Sequence, residues 1–116
     1  MRVTIHQPEF APWLGFCHKA SLADKLILLD DVQFRKNYFQ NRNRVLTAGK
    51  PSWITVPVVR SGLATPINEV RIASENNPRW MHKIETTIRQ SYGRTPYFDP
   101  IFKAFSRLLR ESGELL

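Results

Sequence analysis

Cysteine is nearly absent from this chain: Cys17 stands alone among 116 residues, so no internal disulfide framework can form. Neither end carries a charged-then-apolar leader, and no apolar run approaches the roughly 20 residues that span a bilayer, which points to a cytoplasmic protein without a membrane span. The His and Cys spacings match no zinc site, so no metal ligands are assigned. There is no glycine-rich phosphate loop and no Gly-x-Ser-x-Gly elbow, and nothing specifies a cofactor. Acidic residues are also scarce, 10 against 17 Lys and Arg, leaving a net charge of +7 and a pI near 10.1. That surplus invites a nucleic-acid reading, but the cations are scattered. Arg35, Lys36, Arg42 and Arg44 form the only dense group, and no helix carries a continuous basic stripe. A small anionic ligand or an acidic partner surface fits this spread better than nucleic acid.

What is present suffices for one domain over residues 1–116, with 42% hydrophobic residues and three Trp to build a core. Arg2-Val3-Thr4-Ile5 is β-branched enough for a buried strand, and Pro8 and Pro12 delay the next helix. Trp13, Phe16, Cys17, Ala20 and Ala23 recur at helical spacing, which predicts a first helix and a buried Cys17 thiol. Lys25-Leu26-Ile27-Leu28-Leu29 reads as a strand buried on both faces, as in a parallel sheet covered by helices. Together these predict a parallel strand–helix–strand unit with a right-handed crossover. Val45-Leu46-Thr47 and Trp53–Val58 read as a hairpin across Ala48-Gly49-Lys50-Pro51, with Pro57 favouring an edge strand or an early end. A loop over 61–66 and a short strand through Val70 and Ile72 follow. Asn77-Pro78 and Asp99-Pro100 then open two amphipathic helices, the first ending at Gly93 and the second reaching Gly113. The expected class is therefore α/β: a parallel unit, a hairpin and short-strand region, and two C-terminal helices. The last helix and the terminal Glu114-Leu115-Leu116 leave apolar groups in want of a partner, either a second copy or further chain.

Three polar groups invite a chemical reading. His6 closes the first strand beside a loop leading to a helix, the edge where α/β sheets gather ligands. A lone His there also serves as ordinary hydrogen-bonded structure. Asp30-Asp31 closes the second strand, so neighbouring strands would bring an imidazole and carboxylates to one rim, where such a pair can orient a tautomer, act as general base or hold a metal with water completing its shell, although two adjacent acids after a strand are also ordinary loop chemistry. Asn41-Arg42-Asn43-Arg44, if extended, places both Asn on one face and both Arg on the other. Those guanidinium forks suit phosphate or carboxylate, although turn-forming Asn at a solvated hairpin start would look the same.

Ile5-His6-Gln7-Pro8, Pro12-Trp13-Leu14-Gly15-Phe16, Leu29-Asp30-Asp31-Val32-Gln33-Phe34, Gln40-Asn41-Arg42-Asn43-Arg44 and Trp53–Val58 resemble, in order and spacing, the successive signatures of the WbqC-like protein family. Ile67–Ile72, Trp80 and Tyr92…Pro96-Tyr97-Phe98 extend the likeness along nearly the whole chain. The resemblance implies a bacterial transferase of surface polysaccharide (O-antigen) biosynthesis, and it covers the family's N-terminal half. A C-terminal half with a Gly-rich Tyr-containing segment and a His-Pro-x-Tyr motif is expected to complete such a protein. The working expectation is transfer from an activated sugar or an acyl or aminoacyl donor. In it His6 acts as acid or base, Asp30 or Asp31 orients it or receives a substrate hydroxyl, and Arg42 and Arg44 hold donor phosphate. Gln7, Gln33, Asn41 and Asn43 would read hydroxyls or amides, and Trp13 would stack on a ring or pack. Two alternatives stand beside it. One is a non-catalytic binding or assembly module of the same pathway. The other is a nucleotide binder of nucleotidyltransferase type, where Glu9 replaces the second His of a His-x-Gly-His motif.

Overall fold

The computed structural model describes residues 1–59, 62, 64–113 and 116. Strand β1 (Val3–His6), helix α1 (Leu14–Ser21) and strand β2 (Lys25–Leu28) form the N-terminal unit. β1 and β2 pair in parallel from Val3 opposite Lys25 to His6 opposite Leu28, as the β-branched and continuous apolar runs predict. The pairing continues one step past the strand, where the Leu29 amide donates to the His6 carbonyl at 2.9 Å.

Burial in this unit departs from expectation. Every residue of β2 is exposed, α1 has no buried residue, and Cys17 is exposed rather than buried. The physical reason is the missing second layer: two strands and one short helix supply one cover, whereas a parallel sheet buries its strands only when both faces are covered.

Strands β3 (Arg42–Thr47) and β4 (Lys50–Thr55) make the antiparallel hairpin. Its turn is tighter than the sequence suggests. Ala48 and Gly49, with φ of 49° and 76°, form a two-residue loop with two left-handed residues, the twist that hairpins favour. Lys50 and Pro51 therefore belong to β4. Pro51 sits opposite Leu46, a pair whose amide positions point away from the ladder, so its missing N–H costs nothing there. The outward Leu46 amide is satisfied by the Tyr92 hydroxyl at 2.9 Å. β4 stops at Thr55, in keeping with Pro57.

The short strand expected through Val70 and Ile72 is instead a 3-10 turn (Ile67–Glu69) followed by an isolated bridge between Ile72 and Val58. Ile67 and Val70, both almost fully buried, are turned inward together by that tight turn. The expected loop over 61–66 and the apolar terminus fall partly outside the described residues.

Helices α2 (Trp80–Tyr92) and α3 (Phe98–Glu111) pack on the hairpin. Their starts differ slightly from the cap signals: neither has a side-chain cap, and the Asn77 amide donates instead to the Ala73 carbonyl at 3.4 Å. Ile54 and Val56 from the hairpin segment meet Trp80, Ile84 and Leu109 in the core, with Phe10, Val45 and Phe105 at its margin. The buried Glu85 carboxylate joins the helices by accepting from the Ser106 hydroxyl at 2.8 Å and from Arg110 at 2.9–3.2 Å. The molecule is thus α/β in the sense expected, with its main core between the hairpin and the helices. The parallel unit is joined to that core by the loop around Phe10.

Candidate functional site

β1 ends by presenting His6 at the strand's carboxyl edge. Its Nδ1 lies 2.8 Å from the Gln7 carbonyl, which can only accept, so Nδ1 carries the proton in that contact. The edge of the ring meets Phe16 of α1 at 4.9 Å, near perpendicular, which fixes its plane. In the neutral ring Nε2 then bears the lone pair, the form a general base requires.

The loop after β1 is tied to the polar segment 33–41 by Gln40, whose side chain is the hub. Its Nε2 donates to Gln7 Oε1 at 2.9 Å, and its Oε1 accepts from the Arg35 amide at 2.7 Å. Gln40 is only 4% exposed, so these bonds also meet the cost of burying an amide. Around the hub lies a cavity of about 420 Å³ lined by His6, Gln7, Glu9, Arg35, Tyr38 and Gln40, with Ile5 and Leu29 as its apolar members. Arg35 stacks on the Tyr38 ring at 5.0 Å. The cavity thus combines an oriented imidazole, one carboxylate, one guanidinium and amide groups, a set able to accept a proton and hold an anion.

The other residues singled out from sequence lie elsewhere or have structural partners. Asp30 and Asp31 follow β2 after Leu29 and are exposed; the Asp30 carbonyl accepts from the Asn68 amide at 3.0 Å, and neither Asp lines the cavity. Gln33 is exposed and forms a bridge with Pro66. The alternation of 41–44 holds. Asn41, 7% exposed, donates to the Val56 carbonyl at 3.0 Å, and Asn43 donates to the Ala11 and Phe10 carbonyls at 2.7 and 3.3 Å. These amides pin backbone segments together. On the opposite face Arg42 and Arg44 both stack on Trp53, at 4.0 and 4.6 Å. Trp13, 64% exposed, lines a separate, mostly apolar cavity of about 530 Å³ together with Asn43 and Arg44.

Glu9, Arg35, Tyr38 and Gln40 are the lining residues that sequence reasoning did not place there. Their common signal is position in irregular, polar stretches beside the β1 motif, which shows chemistry without geometry. Among the described residues no group of three or more His, Cys, Asp or Glu is placed to hold a metal ion, and no helix is long and apolar enough to cross a membrane.

Comparison with known proteins gives a consistent affiliation. An uncharacterised protein of Mycobacterium tuberculosis (strain ATCC 25618 / H37Rv) is 39% identical over 61 residues, which is 53% of this chain and 26% of that relative. The match thus spans about a quarter of the relative's length. No solved structure matches the chain. The model for the WbqC-like protein family matches residues 7–116, covering both the loop beyond His6 and the two C-terminal helices, and the chain belongs to that family.

Proposed function

We propose that the His6 cavity is the reacting centre of a transferase, or of the part of one that this chain represents. The observation that carries the reading is the Nδ1 contact with the Gln7 carbonyl, because it leaves Nε2 as proton acceptor at the rim of a cavity that also holds Arg35. In this reading Nε2 takes the proton of an acceptor hydroxyl or amine as that atom bonds to the transferred carbon of an activated donor, while the bond from that carbon to the activating group breaks and its electron pair leaves on that group, a nucleotide phosphate for a sugar donor or a thiolate or phosphate for an acyl donor. Arg35 pairs with the donor's anionic group, and the Gln7–Gln40 amides fix the loop that carries His6. Glu9 stabilises the imidazolium formed. Asp30 and Asp31 are assigned to acceptor hydroxyls approaching along the β2 end, with Gln33 beside them.

The pathway proposed, synthesis of bacterial surface polysaccharide from an activated sugar or an acyl or aminoacyl donor in the cytoplasm, rests on family membership together with this anion-ready cavity. Residues 1–116 as one domain of a longer protein belongs to the same proposal, and the greater length of the mycobacterial relative supports it.

Thermal-shift screening with nucleotide sugars and coenzyme A derivatives tests the donor site, since a ligand that binds the native state raises the melting temperature by mass action. His6→Ala should leave melting of the free protein nearly unchanged and abolish transfer; turnover at the unaltered rate would remove His6 from the mechanism. A second reading, a non-catalytic assembly module, is favoured by one observation, the exposed apolar residues of the parallel unit and α3. Silence toward every donor together with self-association would support it.

A further inference from the structure

Between Asp31 and Glu69 the sequence holds six Lys and Arg and no acidic residue, so nearly all of the net charge of +7 is concentrated in that stretch. The fold gives those cations an ordered support. Arg35 rests on Tyr38 at 5.0 Å, and Arg42 and Arg44 rest on Trp53 at 4.0 and 4.6 Å. The rings are themselves in sequence, Tyr38 to Phe39 at 5.4 Å and Phe39 to Trp53 at 5.9 Å. Tyr38 and Trp53 are 42% and 40% exposed. No carboxylate pairs with these arginines among the described residues, where the ion pairs Arg107–Glu111 and Arg110–Glu85 both belong to α2 and α3. Arg42 also donates to the Asn37 carbonyl, and its buried Nε has no partner. A guanidinium stacked on a ring loses little further freedom when its fork meets phosphate.

We infer that this row is an anion track for a short ligand with two or more linked phosphate groups, one at Arg35 and another at the Arg42–Arg44 pair. The track does not depend on His6 chemistry, although its Arg35 end opens into the same cavity. It is short. β3 continues from Arg44 as Val45-Leu46-Thr47, without another cation to follow a polymer backbone, which favours an oligophosphate group over a nucleic-acid strand.

Calorimetric titration of the intact chain with tripolyphosphate and with orthophosphate, in chelator and at low salt, tests the inference. Tripolyphosphate should bind about tenfold or more tightly than orthophosphate, because a second charge-assisted contact forms. The double variant Arg42→Gln/Arg44→Gln should lose about tenfold in tripolyphosphate affinity, against less than about twofold for Arg107→Gln, which lowers charge on α3. Arg44→Lys keeps the charge and reports the fork alone, with an intermediate loss expected. Circular dichroism verifies folding, and the exposed Arg44→Gln single variant serves if the double variant does not fold. Tripolyphosphate binding is read without any donor or transfer assay, so loss of the transferase reading would leave this one standing. Equal losses in the β3 and α3 variants would overturn it as unspecific attraction. Tighter binding of a thymidine 20-mer than of tripolyphosphate would overturn it in favour of nucleic acid.

Discussion

Gln40 shows how one buried side chain can hold a site together without taking part in its chemistry. Its amide bridges Gln7 Oε1 and the Arg35 backbone, so both sides of the cavity depend on it. Replacing it by Leu keeps the volume but leaves an amide oxygen and a backbone N–H unsatisfied, at a cost of about 1–3 kcal/mol. Urea denaturation should show that loss, and any donor found by thermal shift should bind more weakly; unchanged stability would mean that water replaces both bonds. Gly15 makes a different demand. A Cβ there would lie 2.1 Å from the Trp13 ring, which is folded down onto the start of α1. Gly15→Ala gains helix propensity, roughly 1 kcal/mol, while forcing the indole outward. The expected result is a nearly unchanged melting temperature with altered near-ultraviolet dichroism. An unaltered aromatic spectrum would show that the ring does not rest there in solution.

At the scale of elements, the α2–α3 pair is joined by apolar packing and by one polar clasp. Glu85 accepts bonds from Ser106 and Arg110, and its side chain is 11% exposed against 67% for Arg110. Glu85→Ala removes all of them at once and should destabilise by about 1.5–3 kcal/mol, the range for hydrogen bonds to a charged group. Ser106→Ala removes one and should cost about 1 kcal/mol. Chemical denaturation of both variants measures the difference, and equal effects would place the clasp's strength in Ser106 alone. Elements of this kind were legible where the signal is local. The β-branched start, the apolar run 25–29, the Gly49 turn and the apolar spacing of α2 and α3 each depend on neighbours in sequence. What escaped depends on contacts far along the chain. The exposure of Cys17 and β2 follows from how many layers cover the parallel unit. That Arg35 rather than Arg42 or Arg44 lines the cavity with His6 follows from the path of an irregular segment with no periodicity. The alternation of Asn41–Arg44 was readable, but the use of both Asn amides as backbone pins was not, because their partners at Val56, Ala11 and Phe10 lie in other segments.

At the scale of the molecule, the balance of covered and uncovered apolar surface differs between its two parts. The hairpin and helices share a core, with Ile54, Val56, Trp80 and Ile84 all under 9% exposed. The parallel unit does not: Val3, Ile5, Leu26, Ile27 and Leu28 are 41–53% exposed, although their sequence is that of an interior strand pair. Val3, Ile5 and Ile27 share one face of the sheet, and apolar surface of this kind without a second layer favours association, since burying it removes apolar area from water and caps unpaired strand edges. The chain alone should therefore show a weight-average mass that rises with concentration in sedimentation equilibrium. Ile5→Lys together with Ile27→Lys places charge on paired positions of that one face, outside the hairpin–helix core, so the double variant should remain folded and shift toward monomer. A monomeric parent at high concentration would mean that these side chains are tolerated by water as they stand, and association through β1 and β2 would then have no support.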